Sequence, residues 1–209
     1  KLLTKGQKRL IPAFRRAAKN VPAYNDILKK LNIKHDEIRT LQDFKDIIPV
    51  LDKKDLSKYP VEKLCIDGNL DGITAAYTSS GFSGNFSYGI VTGDYVRKSA
   101  QLLDSMLTYS YGYEPRTVII NSLMMGVQAY SAYPLLTTSV RADIVCAFVN
   151  LLKRQYKRIV ILADAQFLKK IIEEGRRKKI KWKTMDVVFI TGGGWFPDSL
   201  VNYLSNVIG

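Results

Sequence analysis

The chain has 209 residues, 46% of them hydrophobic and 24% charged, with a net charge of +13. That is the balance of a globular protein with a sizeable core, and no apolar run approaches the ~20 residues that span a bilayer. One histidine, His35, rules out a histidine-based metal cluster, and two cysteines in unrelated contexts, Cys65 and Cys146, suggest neither a disulfide framework nor a zinc site.

The N-terminus, KLLTKGQKRLIPAFRRAAKN, is basic and lacks the apolar stretch of a secretory signal, so a cytoplasmic location is expected. The first third reads as short helices, a helical segment over residues 1–70. In VPAYNDILKKLN, Pro22 suits a first helical turn, and Tyr24, Ile27, Leu28 and Leu31 have helical spacing. TLQDFKDI begins on Thr40 as an N-cap and lines Leu41, Phe44, Ile47 and Ile48 along one face. DKKDLSKYP begins on a second cap, Asp52, and is stopped by Pro60.

From residue 71 to 209 the texture becomes strand–helix alternation, an α/β nucleotide-binding portion forming one structural unit with the helices before it. GITAAYT and FSYGIVT read as strands flanking a loop, and DYVRKSAQLLDSMLTY as a helix. Tyr95, Val96, Ser99, Leu102, Leu103 and Met106 fall on one side of that helix. RTVIIN, RIVILA and DVVFIT are buried-strand patterns. DAQFLKKIIEEG is a helix capped by Asp164 and stopped by Gly175, and PDSLVNYLSNVIG is the last helix.

The densest basic run, EEGRRKKIKWK, lies at a helix end, where cations favour the negative pole of the dipole. Nucleic-acid binding would need stacking aromatics among the basic residues, and Trp182 is the one aromatic there, so a nucleic-acid partner is not expected.

Two loops carry chemistry. Ser79–Asn85 holds two glycines and three serines, far more than a hairpin requires. Glycine lets successive N–H groups face one concavity, and the hydroxyls of Thr78, Ser79, Ser80 and Ser83 add donors. Such a loop serves either as a flexible turn or as a polyphosphate cradle; it lacks the Gly-Lys-Ser/Thr of a P-loop. The second loop, TGGGW, follows a strand, and its bare backbone suits either a strand-to-helix turn or a planar base laid outside the carboxyl end of a sheet.

Taken in order, these segments resemble the adenylate-forming (acyl-activating) superfamily, and within it the phenylacetate–CoA ligase-like branch. The family's phosphate loop, close to Ser-Ser-Gly-Thr-Thr-Gly-Lys-Pro, is matched by Ser79-Ser80-Gly81-Phe82-Ser83-Gly84-Asn85-Phe86. VPAYNDIL, the DFKDIIPVLDKKDLSKYP segment, IVTGDY, ILADAQFLKKIIEEG and DVVFITGGGWFPDSLVNYL stand in the family's order, and the likeness covers nearly the whole chain. The fold class it implies is α/β, part of the large N-terminal domain of such an enzyme.

The resemblance implies activation of a carboxylic acid by ATP and Mg²⁺ to an acyl-adenylate, followed by transfer to a thiol, most simply coenzyme A. Thr78, Ser79, Ser80, Gly81, Ser83, Gly84 and Asn85 would then hold the phosphates. Gly192, Gly193 and Gly194 would lie along the adenine and the acyl group, with Tyr130 and Tyr133 lining the acyl pocket. Asn85 stands where the family has lysine, so it brings no charge to that contact. The family's catalytic and metal-binding motifs are expected beyond residue 209, and these residues alone are expected to be inactive. Three alternatives remain at this point: transfer to a carrier protein or protein cysteine, a non-catalytic module of the same fold, and a basic nucleic-acid-binding protein.

Overall fold

The computed structural model describes residues 2–78, 88–124, 127–192 and 196–208. The chain divides into two compact units, Lys1–Gly93 and Asp94–Gly209.

The first unit opens on α1 (Leu2–Asn20), followed by α2 (Pro22–Lys30), α3 (Leu41–Ile47) and α4 (Lys53–Leu56). The expectation of short helices fails for α1, which runs 19 residues and carries Pro12 inside it. Its apolar stripe holds it together: Phe14 and Ala18 are buried with Leu28 and Ile38, and Phe14 meets Tyr24 and Phe44 edge-on at 6.1 and 5.4 Å. Both expected caps form full capping boxes. The Asp43 N–H donates to Thr40 Oγ1 at 3.1 Å, and the Thr40 N–H donates to Asp43 Oδ2 at 2.9 Å. Asp52 accepts the Lys54 N–H at 2.7 Å while Asp55 accepts the Asp52 N–H at 3.1 Å. Those oxygens satisfy the orphan donors of helices too short to persist otherwise. The helix after Asp52 ends at Leu56, four residues before Pro60, so the proline is not what stops it. An antiparallel pair completes the unit, β1 (Ile73–Thr78) and β2 (Tyr88–Thr92).

In the second unit α5 (Gly93–Tyr111) precedes β3 (Thr117–Asn121), β4 (Leu135–Thr137), α6 (Ala142–Leu152), β5 (Arg158–Ala163), α7 (Ala165–Arg177), β6 (Asp186–Thr191) and α8 (Asp198–Ile208). Among the described residues the strands form one parallel sheet in the order β4-β3-β5-β6. Alternate side chains go to opposite faces, as the two-residue strand period requires. Val118, Ile120, Ile159 and Ile161 pack against α6, α7 and α8. Ile119, Val160, Leu162 and Val188 pack against α5 and the segment before β4. Coverage on both faces explains why these strands read as unbroken apolar runs.

Two elements, β4 and α6, escaped the sequence pattern. The three residues of β4 are too few to show periodicity, whereas α6 buries Val145, Cys146, Val149 and Leu152 at helical spacing. The packed stripe of α5 is also narrower than expected: Leu103 and Leu107 meet the sheet, while Leu102 is 73% exposed and Met106 faces outward.

Gly175 is not the stop of α7. The helix continues to Arg177 and ends in a Schellman arrangement, with the Ile180 N–H donating to the Gly175 carbonyl at 2.8 Å and the Lys179 N–H to that of Arg176 at 3.0 Å. The left-handed position falls on Lys179, at φ 56°. A lysine there carries about 1 kcal/mol of strain that glycine would not. Lys179→Gly is therefore expected to raise stability by about 0.5 kcal/mol, the greater freedom of the unfolded glycine offsetting part of the relief. Chemical denaturation checks this, and a destabilised variant would contradict it.

Candidate functional site

Parallel strands deliver their carboxyl ends to one edge of a sheet, and at this edge the second unit holds a cavity of about 460 Å³. Strand β3 ends in Asn121 and continues into Leu123, Met124, Val127, Gln128 and Tyr130, which form one wall. Helix α5 supplies Tyr95, Ser99 and Leu103, one residue per turn along a single stripe. Leu162 and Asp164 come from the end of β5, and Ile190, Thr191 and Gly192 from the end of β6. Connections from β3 run to β4 on one side and those from β5 to β6 on the other, so the order reverses between β3 and β5. Crevices at such switch points are where open α/β sheets take ligands.

Buried polar groups fix the wall that follows β3. Asn121 is fully buried; its Nδ2 donates to the Val127 carbonyl at 3.3 Å, and its Oδ1 accepts the Leu123 N–H at 3.3 Å. Ser122 Oγ donates to the Leu162 carbonyl at 2.7 Å, tying the same wall to β5. Tyr95 and Tyr130, both in the cavity lining, meet edge-to-face at 6.4 Å. Asp164 caps α7 by accepting the Phe167 N–H at 2.8 Å on Oδ1.

Of the residues singled out in the sequence, the cavity brings together Tyr130 and Gly192. Tyr133 packs against the cluster of Leu107, Ile119 and Val160 and borders a separate open cleft with Asp104 and Tyr113. The chain is there running back toward the amino end of β4, and each extended residue carries it roughly 3.3 Å from the carboxyl edge. Thr78 is the last residue of β1, paired with Tyr88. Ser79, Ser80, Gly81, Ser83, Gly84, Asn85, Gly193 and Gly194 lie outside the described residues. The residues missed in the sequence are Ser99, Met124, Gln128, Asp164 and Thr191. The signal available for Asp164 and Thr191 was position alone, the carboxyl end of an apolar run.

The Cys146 thiol is a poor nucleophile. Cys146 is fully buried in α6, its Sγ–H directed at the Ile171 carbonyl at 3.6 Å. Burial, with the Glu174 carboxylate beside it, pushes the thiol up to about 11. About one molecule in 10⁴ would carry the thiolate at neutral pH. Cys65 is half-buried and donates to the Val61 carbonyl at 3.4 Å. In the basic run, Arg177 and Lys178 pair with Glu174, and Trp182 is only 3% exposed, so its rings offer no face for a base. Among the described residues no helix is long and apolar enough to cross a membrane, and no three His, Cys, Asp or Glu side chains converge on a point that would hold a metal ion.

The fold has counterparts among solved structures. Three structures of 2-hydroxyisobutyryl-CoA ligase each superpose with a TM-score of 0.72 over 97% of this chain. One is an open conformation with 2-HIB-AMP and coenzyme A, at 13% identity and covering 50% of that protein. Another is the thioesterification state with the same ligands, at 13% identity over 46%. The third is the postadenylation state with R3-HIB-AMP, at 12% identity over 45%. The chain thus spans about half the length of these structures and has the fold of that part of an adenylate-forming enzyme. No family model and no curated protein matches its sequence.

Proposed function

We propose that this chain is part of an acid–thiol ligase that activates a carboxylic acid as its acyl-adenylate and passes it to coenzyme A, in the phenylacetate–CoA ligase-like branch. The observation that carries this reading is the cavity of about 460 Å³ at the carboxyl edge of the sheet, with Gly192 in its wall, in a chain 97% of which follows a coenzyme A ligase fold. The cavity would take the acyl group, with Tyr130 against it, and Gly192, Gly193 and Gly194 would lie along the adenine.

The loop from Thr78 through Ser79, Ser80, Gly81, Ser83 and Gly84 to Asn85 would present backbone and hydroxyl donors to the phosphates. Donors fixed in advance stabilise charge as pyrophosphate departs. Mg²⁺ would arrive with the nucleotide and supply positive charge to the phosphates; among the described residues no three His, Cys, Asp or Glu side chains converge to hold it. Transfer to Cys146 is disfavoured by its burial, and a small diffusible thiol or a carrier protein would serve as acceptor.

The test is thermal. ATP·Mg²⁺ at about a hundredfold excess over its dissociation constant should raise the melting temperature by roughly 5–10 °C. Gly84→Asp, which puts a carboxylate into the phosphate cradle, should abolish that shift while leaving the ligand-free melting temperature within about 2 °C. A wild-type chain indifferent to several millimolar ATP·Mg²⁺ would remove the nucleotide from this reading.

A further inference from the structure

We propose that Asp164 determines which acyl group the cavity accepts, selecting acids whose apolar frame carries a hydrogen-bond donor, ammonium or hydroxyl, and rejecting acids with a second carboxylate. This rests on reading the cavity as the acyl pocket.

The cavity wall is predominantly apolar, built on Leu103, Leu123, Met124, Val127, Leu162 and Ile190. Among the described lining residues Asp164 is the one carboxylate, and none is a lysine, arginine or histidine. The carboxylate is half-exposed at the end of β5, where the chain turns from strand into helix. Its Oδ1 is engaged by the Phe167 N–H at 2.8 Å, and Oδ2 has no hydrogen-bond partner among the described residues.

This has two consequences. A helix N-terminus opening on a cavity ordinarily attracts anions, because its free N–H groups and dipole both favour negative charge. Here that attraction is already met by Asp164, so the start of α7 does not offer an anion site to the ligand. The acid's own carboxyl carbon must therefore lie away from Asp164, and the far end of the acyl group faces it. At that end an unpaired oxygen in apolar surroundings favours a donor, most strongly a charged one, and repels a second carboxylate that no nearby cation would neutralise.

The test uses hydrolysis-resistant acyl-adenylate mimics, acyl sulfamoyl adenosines, titrated calorimetrically into the full 209-residue chain. Three probes share a phenylacetyl frame: unsubstituted, 4-aminomethyl and 4-carboxy. The wild type should bind the aminomethyl probe at least about tenfold tighter than the parent, and the carboxy probe at least about tenfold weaker. Asp164→Asn and Asp164→Ser both keep a competent N-cap, so the melting temperature should stay within about 2 °C. In both variants the spread between probes should collapse to about threefold or less. Should the wild type bind all three alike, or the variants keep the wild-type order, Asp164 is not the determinant, while the acyl-pocket reading survives. If the wild type binds none of the three, the pocket reading fails and this inference fails with it.

Discussion

Gly175→Ala should destabilise the second unit by about 2 kcal/mol, although the substitution removes a glycine from a helix interior. Propensity alone favours alanine there by about 1 kcal/mol. Tertiary packing opposes it with more. A Cβ on Gly175 would lie 2.5 Å from Trp182 Cζ2, 2.7 Å from Nε1 and 2.8 Å from Cε2. The indole cannot swing aside, because it is 3% exposed, meets Phe189 edge-on at 5.6 Å and belongs to the cluster that includes Ile172 and Leu204. Overpacking of a filled core costs roughly 1–3 kcal/mol, and contact with three ring atoms places this site at the upper end.

The melting temperature should fall by roughly 4–8 °C. Trp182→Leu in the same chain makes room for the methyl group, so the double variant should lose about 1 kcal/mol less than the sum of the single ones. A melting temperature unchanged or raised in Gly175→Ala would show that the helix and the indole separate freely, contrary to this packing. Gly175 is thus a contact surface, and the turn-forming role expected of it belongs to Lys179.

The other large effect is expected at Asn121, where stability and binding should fall together. Asn121→Ala removes the partner of the Leu123 N–H and of the Val127 carbonyl, both of which hold the cavity wall after β3. Each backbone group left unpaired costs about 1–3 kcal/mol where water is excluded. Val127 is exposed and its carbonyl can turn to solvent, so the expected total is about 2 kcal/mol. Asn121→Asp is expected to cost about 3 kcal/mol, because a carboxylate would face the Val127 carbonyl from a fully buried position with nothing to donate.

Denaturant titration measures both losses. The parent phenylacetyl sulfamoyl adenosine should bind Asn121→Ala about tenfold more weakly than the wild type, since the wall carrying Met124, Gln128 and Tyr130 loses its anchor. Unchanged affinity alongside lowered stability would confine Asn121 to a structural part. The same measurement on Gly175→Ala supplies the control, because that residue lies on α7 outside the cavity lining and should affect melting alone.

Sequence reading was most reliable where the interaction is local. The caps at Thr40, Asp52 and Asp164 are formed within three residues of the cap itself, and each took the expected form. The apolar runs of β3, β5 and β6 announce a sheet covered on both faces, because such burial leaves no polar alternation to interrupt them. Resemblance to the adenylate-forming superfamily supplied the fold, and the solved coenzyme A ligases share it. Less was legible at the site. Tyr130 and Tyr133 are three residues apart and equally aromatic, yet one borders the cavity and the other a separate cleft beside Asp104 and Tyr113, a difference set by the path of the chain back to β4.

What the sequence determined by itself, then, is that most segments apart from β4 and α6 become helix or strand, and where several of them start, since those choices are settled by neighbours a few bonds away. Strand order, the exposure of Leu102, the indole against Gly175 and the assembly of Ser99, Met124, Asp164 and Thr191 around one cavity were decided by the tertiary structure. Those four residues come from α5, the segment after β3, and the ends of β5 and β6, and no periodicity links them. The pairing of β3 with β5 and of β5 with β6 brings them to one edge, and it is fixed only when both faces of the sheet are packed.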